Sequence, residues 1–267
     1  MKKKRNPVFN AVIIALALIT IPQIAPAQSG TDTLDQIKAA GTVKVAVPQD
    51  FPPFGSVGTD MKPIGYDIDM ARLIAKELGV KVKLVPVTST NRIPYMTTGK
   101  VDLVISSLGK NPARAKVIDF TEAYAPFFNG VFGAKEVAVT KAAELASRTI
   151  GVTRGSIEDL ELSKIVPEST EISRFEDNSS TISAYLSGQV QLVATGNVVA
   201  ASINEQNPVK RLETKFMIKN SPCYIGVNKN QPAFMATLNA IIEKAKKEGE
   251  LEKISEKWLH NSLPSDL

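Results

Sequence analysis

Residues 99–124 read GKVDLVISSLGKNPARAKVIDFTEAY. Val101, Leu103, Val104 and Ile105 form an apolar run of strand length that starts after the turn residue Gly99. The run stops abruptly in Ser106, Ser107 and Gly109. Asn111-Pro112 then predicts a helix start, with Asn as N-cap and Pro at the first helical position. Arg114 falls in the first turn of that helix, where an arginine gains nothing from the helix dipole. Its placement is explained if an anion binds there, met by free backbone N–H groups, serine hydroxyls and a forked guanidinium. A surface arginine beside a loop has the same spacing and stays open as the alternative.

Upstream of this stretch, Leu34–Ala40 reads as a helix ended by Gly41, and Thr42–Val47 alternates as a strand. Phe51-Pro52-Pro53-Phe54 is a stiff aromatic loop. Ile68–Leu78 has one apolar face and Gly79 at its end. Val80–Val87 is the next strand, and Arg92–Thr98 a short helix leading to Gly99. Such alternation calls for an α/β fold with mostly parallel sheets covered on both faces.

Downstream the pattern begins again, with helices at 142–146, 157–165 and 178–186 and strands at 149–153 and 171–175. An internal echo accompanies it. YMTTGKVDLVIS (95–106) matches YLSGQVQLVAT (185–195), each running from a helix end through Gly to a strand, with seven residues from Gly to a hydroxyl. At corresponding points of two α/β patterns, the echo argues for two similar lobes. The tail, 232–259, reads as two amphipathic helices separated by Gly249.

The chain opens with Lys2-Lys3-Lys4-Arg5, an apolar run from about Ala11 to Ile21, and Ala25-Pro26-Ala27. This reads as a cleavable signal peptide, residues 1–27, with an apolar run too short for a good membrane span. Cleavage leaves 240 of the 267 residues, and the 32 basic residues less the four of the leader leave 28 against 27 acids. The apparent basicity is mostly the leader's, which argues against a nucleic-acid partner. No Cys follows the apolar core, so a lipid anchor is not expected. The single Cys223 permits no internal disulfide. A soluble protein outside the cytoplasm is expected.

Catalytic signatures are missing. The sequence has no GxxxxGK[ST], no GxGxxG after a strand and no GxSxG elbow. The single His260 can support neither a His-rich metal site nor a Ser-His-Asp triad. No cofactor or metal is expected. The acid pairs Asp67/Asp69 and Glu158/Asp159 sit at helix starts, where the dipole accounts for them. Binding is the expected activity, not catalysis.

Several segments together resemble the polar amino-acid-binding proteins that serve bacterial ABC importers. They are VKVAV (43–47) with FPPF (51–54), GYDIDMA (65–71), RIP (92–94), GKVDL (99–103), RAKVIDFT (114–121), and GELEKI (249–254) with Trp258. The resemblance spans nearly the whole chain after the leader, in order. It implies a type II periplasmic-binding-protein fold: two lobes, each a mostly parallel sheet flanked by helices, joined by two crossing strands. Lobe 1 would hold residues 28–125 and 223–267 and lobe 2 residues 126–222, with crossings near 125–130 and 223–228. The partners implied are a small carboxylate-bearing ligand and a membrane permease, with the receptor itself a monomer.

By the same resemblance, Arg114 clamps the ligand's α-carboxylate, helped by Ser107 and Gly109. Phe51 stacks on the ligand, or else packs as a loop hydrophobe. Ser89 and Asn91 line the pocket from lobe 1. Thr153, Gly155, Ser156 and Ile157 form the second jaw, followed by Thr195, Gly196 and Asn197. The sequence departs from the family pattern twice. Gly109 replaces a common Ser or Thr, and Gly196 stands where an Asp usually pairs with the ligand's amine. A buried ammonium without a partner would cost several kcal/mol. Either Thr195, Asn197 and another acid such as Asp177 or Glu158 take over, or the ligand is not an ordinary α-amino acid. A second function stays open, that of an exported cyclohexadienyl dehydratase-like enzyme with Glu158 as proton donor.

Overall fold

The computed structural model describes residues 32–267, so the leader reading of residues 1–27 lies outside the described residues. The first elements are helix α1 (Thr33–Ala40), strand β1 (Thr42–Val47), the short pair β2 (Ser56–Val57) and β3 (Pro63–Ile64), and α2 (Tyr66–Leu78). Next come β4 (Lys81–Pro86), α3 (Arg92–Thr97), β5 (Leu103–Val104), α4 (Pro112–Ala115) and β6 (Ile118–Ala125). The middle of the chain forms β7 (Phe128–Gly133), β8 (Thr149–Thr153), α5 (Ile157–Leu162), β9 (Glu171–Phe175), α6 (Asn178–Ser187), β10 (Leu192–Gly196) and α7 (Asn197–Gln206). The last are β11 (Glu213–Asn220), β12 (Cys223–Asn228), α8 (Pro232–Lys247) and α9 (Glu250–Leu259).

The helix ends follow the capping residues in the sequence. Asn111 accepts from the Arg114 backbone N–H at 2.8 Å, so the Asn-Pro start of α4 is real. Asp177 caps α6 through the Ser180 N–H. Gly41, Gly79 and Gly188 end α1, α2 and α6 in the left-handed conformation. The helix expected over 142–146 is a single 3-10 turn at Ala142–Leu145. The helix expected over 157–165 stops at Leu162.

Two five-stranded sheets result, ordered β4-β1-β5-β12-β6 and β11-β7-β10-β8-β9. Read in reverse, the second order matches the first strand for strand. The echoed segments become β5 and β10, the central strands of their sheets, so the echo marks a shared architecture. The expectation of mostly parallel sheets needs correction. In the first sheet β1 pairs in parallel with β4 and β5, while β12 pairs antiparallel with β5 and β6. In the second, β8 pairs in parallel with β9 and β10, while β7 pairs antiparallel with β10 and β11. The antiparallel half comes from strands that carry the chain between sheets. These lack the crossover helix that parallel pairing requires.

The chain passes between the sheets twice, at residues 126–127 from β6 to β7 and at 221–222 from β11 to β12. Each sheet with its helices forms one lobe. An apolar cluster spans both, running from Tyr66, Ile74 and Phe234 through Phe54 and Phe127 to Val199 and Ile203. Phe127 lies edge-on to Phe54, with ring centroids 5.4 Å apart. Burying such a ring is worth roughly 1.5–3 kcal/mol. Cys223 opens β12 fully buried, as a small apolar residue beside the second crossing. Helix α9 is pinned to α2 through Asp69, whose Oδ2 accepts from Trp258 Nε1 at 2.8 Å and Lys257 Nζ at 2.6 Å.

Candidate functional site

A cleft lies between the lobes, with about 550 Å³ of empty space, part of it open to solvent. Its walls come from the carboxyl ends of the parallel strands. Pro48, Asp50 and Phe51 follow β1, Val87, Thr88, Ser89 and Arg92 follow β4, and Ser106, Ser107 and Gly109 follow β5. Facing them, Ser156, Ile157 and Glu158 follow β8, and Asp177 and Asn178 follow β9. Phe127, Asn129 and Ser221 close the base from the crossings and β7. Strand carboxyl ends are where open α/β sheets take their ligands.

The expected site residues divide in two. Phe51, Ser89, Ser107, Gly109, Ser156 and Ile157 line this cleft. Arg114, Asn91, Thr153, Thr195, Gly196 and Asn197 do not, and each is occupied elsewhere. Asn91 Oδ1 accepts from the Thr88 N–H at 2.9 Å. The Thr153 hydroxyl meets Asn178 Oδ1 at 2.8 Å and the Thr181 hydroxyl at 2.9 Å, tying β8 to α6. Thr195 is buried within the second sheet opposite Gly130. Asn197 Oδ1 accepts from the Phe128 N–H at 3.1 Å. Phe51 is buried against Phe54 and Phe127 and also lines the cleft.

Arg114 is buried and is not among the residues that line the cleft. Its guanidinium donates to Gly109 O at 2.7 Å and to Gly155 O at 2.9 Å, so it bridges the lobes. Burial, with the charge of Arg92 adding to it, lowers its pKa to about 9, which leaves it cationic at neutral pH. The cation that lines the cleft is Arg92, also buried. It donates from Nη1 to Ser106 O, and its Nε has no partner among the described residues. Burial lowers its pKa, opposed by the charges of Glu158 and Asp67.

Both departures from the family pattern have steric reasons. A Cβ on Gly109 would stand 2.4 Å from Ser221 Oγ and 2.7 Å from Ile157 Cγ1. A hydroxyl is therefore supplied next to Gly109 by the second crossing. A Cβ on Gly196 would stand 1.9 Å from Phe127 Cζ. Phe127 fills the space that a residue-196 side chain would need.

Asp67 is fully buried, so the helix dipole does not account for it alone. Its Oδ2 accepts from the Ser107 N–H at 2.7 Å and its Oδ1 from Tyr124 Oη at 2.6 Å. Tyr66 Oη continues the chain to Tyr124 O at 2.8 Å. This network holds Ser107 in its left-handed backbone conformation (φ 41°). Burial outweighs the donated hydrogen bonds and raises the Asp67 pKa from 3.8 to about 7. A carboxyl with a raised folded-state pKa contributes stability below its unfolded pKa and loses it as pH rises through the folded one. Asp67→Asn should therefore flatten the fall in melting temperature between pH 4 and pH 7.5. The wild-type loss from this group is up to about 4 kcal/mol at ~1.4 kcal/mol per pKa unit. Parallel melting curves for the two proteins would refute this.

Asp50 forms a second bridge between lobes. Its Oδ2 accepts from the N–H groups of Asn178 and Ser179 at 2.8 and 3.1 Å, at the start of α6. Asp50→Ala should weaken closure by ~1–2 kcal/mol, the scale of exposed charge-assisted bonds at a helix start. Small-angle scattering of the unliganded protein should show a larger radius of gyration. An unchanged radius counts against the bridge.

Arg92, Asn129, Ser221 and Asp50 were not among the expected site residues. Asn129 had a sequence signal, as one amide in the otherwise apolar or glycine strand FNGVFG. Arg92 was legible only as a helix-start residue, and Ser221 had no pattern at all.

The family model for bacterial extracellular solute-binding proteins, family 3, matches residues 43–261. The chain belongs to that family. It is 28% identical over 241 residues to the glutamine-binding protein GlnH of an ABC transporter from Bacillus subtilis, covering 88% of this chain and 87% of the relative. Among solved structures, the solute receptor for L-cysteine of Neisseria gonorrhoeae superposes with a TM-score of 0.80 at 29% identity, covering 85% of this chain and 93% of that one. An ancestral amino-acid-binding protein, described as a precursor of cyclohexadienyl dehydratase, superposes with a TM-score of 0.78 at 28% identity, covering 86% of this chain and 100% of that one. Two lobes with a cleft between them are thus the fold of this chain, and solute binding is the family's activity.

Proposed function

We propose that this protein is a periplasmic receptor that catches an amino acid between its lobes and presents the closed form to the membrane permease of an ABC importer. The observation that carries the reading is Arg92, a buried guanidinium whose Nε has no partner among the described residues, on the wall of an interlobe cleft that also holds the carboxylate of Glu158. A zwitterion complements such a pair. Ligand contacts to both jaws would stabilise the closed state by their differential affinity for it. Lobe 1 comprises residues 28–125 and 223–267 and lobe 2 residues 126–222, after removal of a signal peptide at 1–27 that leaves no lipid anchor. The receptor acts as a monomer and without catalysis. Ser89, Ser107, Gly109, Phe51, Ser156 and Ile157 shape the cleft, with Arg114 holding the jaws rather than touching the ligand.

A thermal-shift screen of the purified protein against amino acids and amine-free carboxylates tests this. A ligand that binds only the folded state raises apparent stability by RT ln(1 + [L]/Kd), about 2.7 kcal/mol at a hundredfold excess over Kd. At least one amino acid should give a clear upward shift, and Arg92→Ala should abolish it. A screen without any shift would sink the receptor reading. A second reading rests on the burial of Glu158 inside the cleft, where a carboxyl could serve as proton donor. Turnover of prephenate or arogenate, lost in Glu158→Gln, would replace receptor with enzyme.

A further inference from the structure

The usual amine acceptor of this family is missing at Gly196, and Phe127 seals that position. At the base of the cleft lie two buried side-chain atoms without a partner among the described residues, Asn129 Oδ1 and Ser221 Oγ. Buried polar groups are nearly always hydrogen-bonded, so orphans grouped in one cleft indicate a missing donor. Glu158 lies beside them. Its Oε1 accepts from Asn129 Nδ2 at 2.7 Å, which turns the amide so that Oδ1 is left free. The Glu158 carboxylate is buried and lines the same cleft. Two unpartnered oxygens able to accept, beside a buried carboxylate, thus line one cleft, whose unpartnered donor, Arg92 Nε, is the group assigned above to the ligand's carboxylate. An ammonium carries three donors and no acceptor.

The geometry points to Glu158, with Asn129 and Ser221, as the acceptor of the ligand's α-ammonium, in place of the family's residue at position 196. This rests on the receptor reading above and sharpens it. The ligand is a zwitterion whose amine faces α5 and the second crossing. The site thereby favours a primary amine next to the carboxylate, since an ammonium brings three donors to these oxygens, a 2-hydroxy acid one and a plain carboxylate none. A glutamate reaching from the start of α5 does what a residue at the end of β10 cannot do past Phe127.

The test is calorimetric titration of the wild type and of Glu158→Gln. The probes are the common L-amino acids and cystine, each paired with its 2-hydroxy-acid counterpart, such as L-glutamate with 2-hydroxyglutarate and L-leucine with 2-hydroxyisocaproate. Wild type should prefer the amino acid by at least ~100-fold, as sites built to bond a substrate N–H do. Glu158→Gln keeps the side-chain shape, and the preference should fall to a fewfold, with the loss of affinity much larger for the amino acid than for the hydroxy acid. If Glu158→Gln binds the amino acid with an undiminished preference, the assignment is wrong and the receptor reading stands. If wild type binds hydroxy acids as well as amino acids, the assignment also fails. If neither class binds, the receptor reading fails and takes the assignment with it. Should Glu158→Gln not fold, Ser221→Ala carries the test, with an expected loss of fivefold or more for the amino acid and little for the hydroxy acid. Equal effects on both probes would overturn the proposal.

Discussion

Gly196→Asp, which would restore the acid usual in the family, is expected to unfold this protein or lower its melting temperature sharply. The new Cβ would stand 1.9 Å from Phe127 Cζ and 2.3 Å from Cε2, well inside van der Waals contact. Phe127 cannot withdraw easily, because it is buried and packs on both Phe51 and Phe54. Overpacking of this kind costs ~1–3 kcal/mol, and a carboxylate forced into the same apolar corner adds several more. Gly196→Ala isolates the steric part and should cost ~1–3 kcal/mol by itself. Adding Phe127→Ala should recover part of the loss in either variant, a non-additivity expected only of residues in contact. Gly196→Asp melting with the wild type would show that the ring moves freely.

Arg114→Ala should destabilise the protein even with no ligand present. The substitution strips Gly109 O and Gly155 O of their shared donor and removes one of the links between the lobes. Hydrogen bonds from a charged donor are each worth ~1.5–3 kcal/mol, so the expected loss is ~3 kcal/mol with an increased radius of gyration. Arg114→Lys should recover only part of it, because one ammonium cannot reproduce the forked geometry. The unliganded protein is what separates the two roles for this residue. A clamp for ligand alone would leave its melting untouched, whereas an interlobe brace would not.

Where the sequence carried the fold, it did so through local rules. The Asn-Pro start of α4, the glycine ends of α1, α2 and α6, and the Asp177 cap are each settled within about four residues. The echo of 95–106 in 185–195 argued for two similar lobes because a Gly-to-hydroxyl step fixes a helix end and a strand together. The site was less legible. Arg114 had the right motif, but its direction depends on Gly155, 41 residues away in sequence. Arg92 became a cleft residue only because α3 lies against the end of β5. Asn129 and Ser221 sit beside the crossings, where no periodicity marks which polar atom faces a cavity. Nor does any local rule place the Phe127 ring in front of position 196.

The sheet order of the first lobe has a consequence for how the polypeptide acquires its shape as it emerges. All five strands of the second sheet lie between residues 128 and 220, an unbroken stretch. The first sheet is different, because β12 lies between β5 and β6 and arrives only after that stretch is complete. Until then β6 has no neighbour in its sheet, and the apolar residues Ile118 and Tyr124 have no finished interior to enter. The inserted half can therefore mature before the half that hosts it. A chain that emerges from its N-terminus passes through an interval in which its leading segment presents an unpaired strand edge. Edges of that kind invite association between copies.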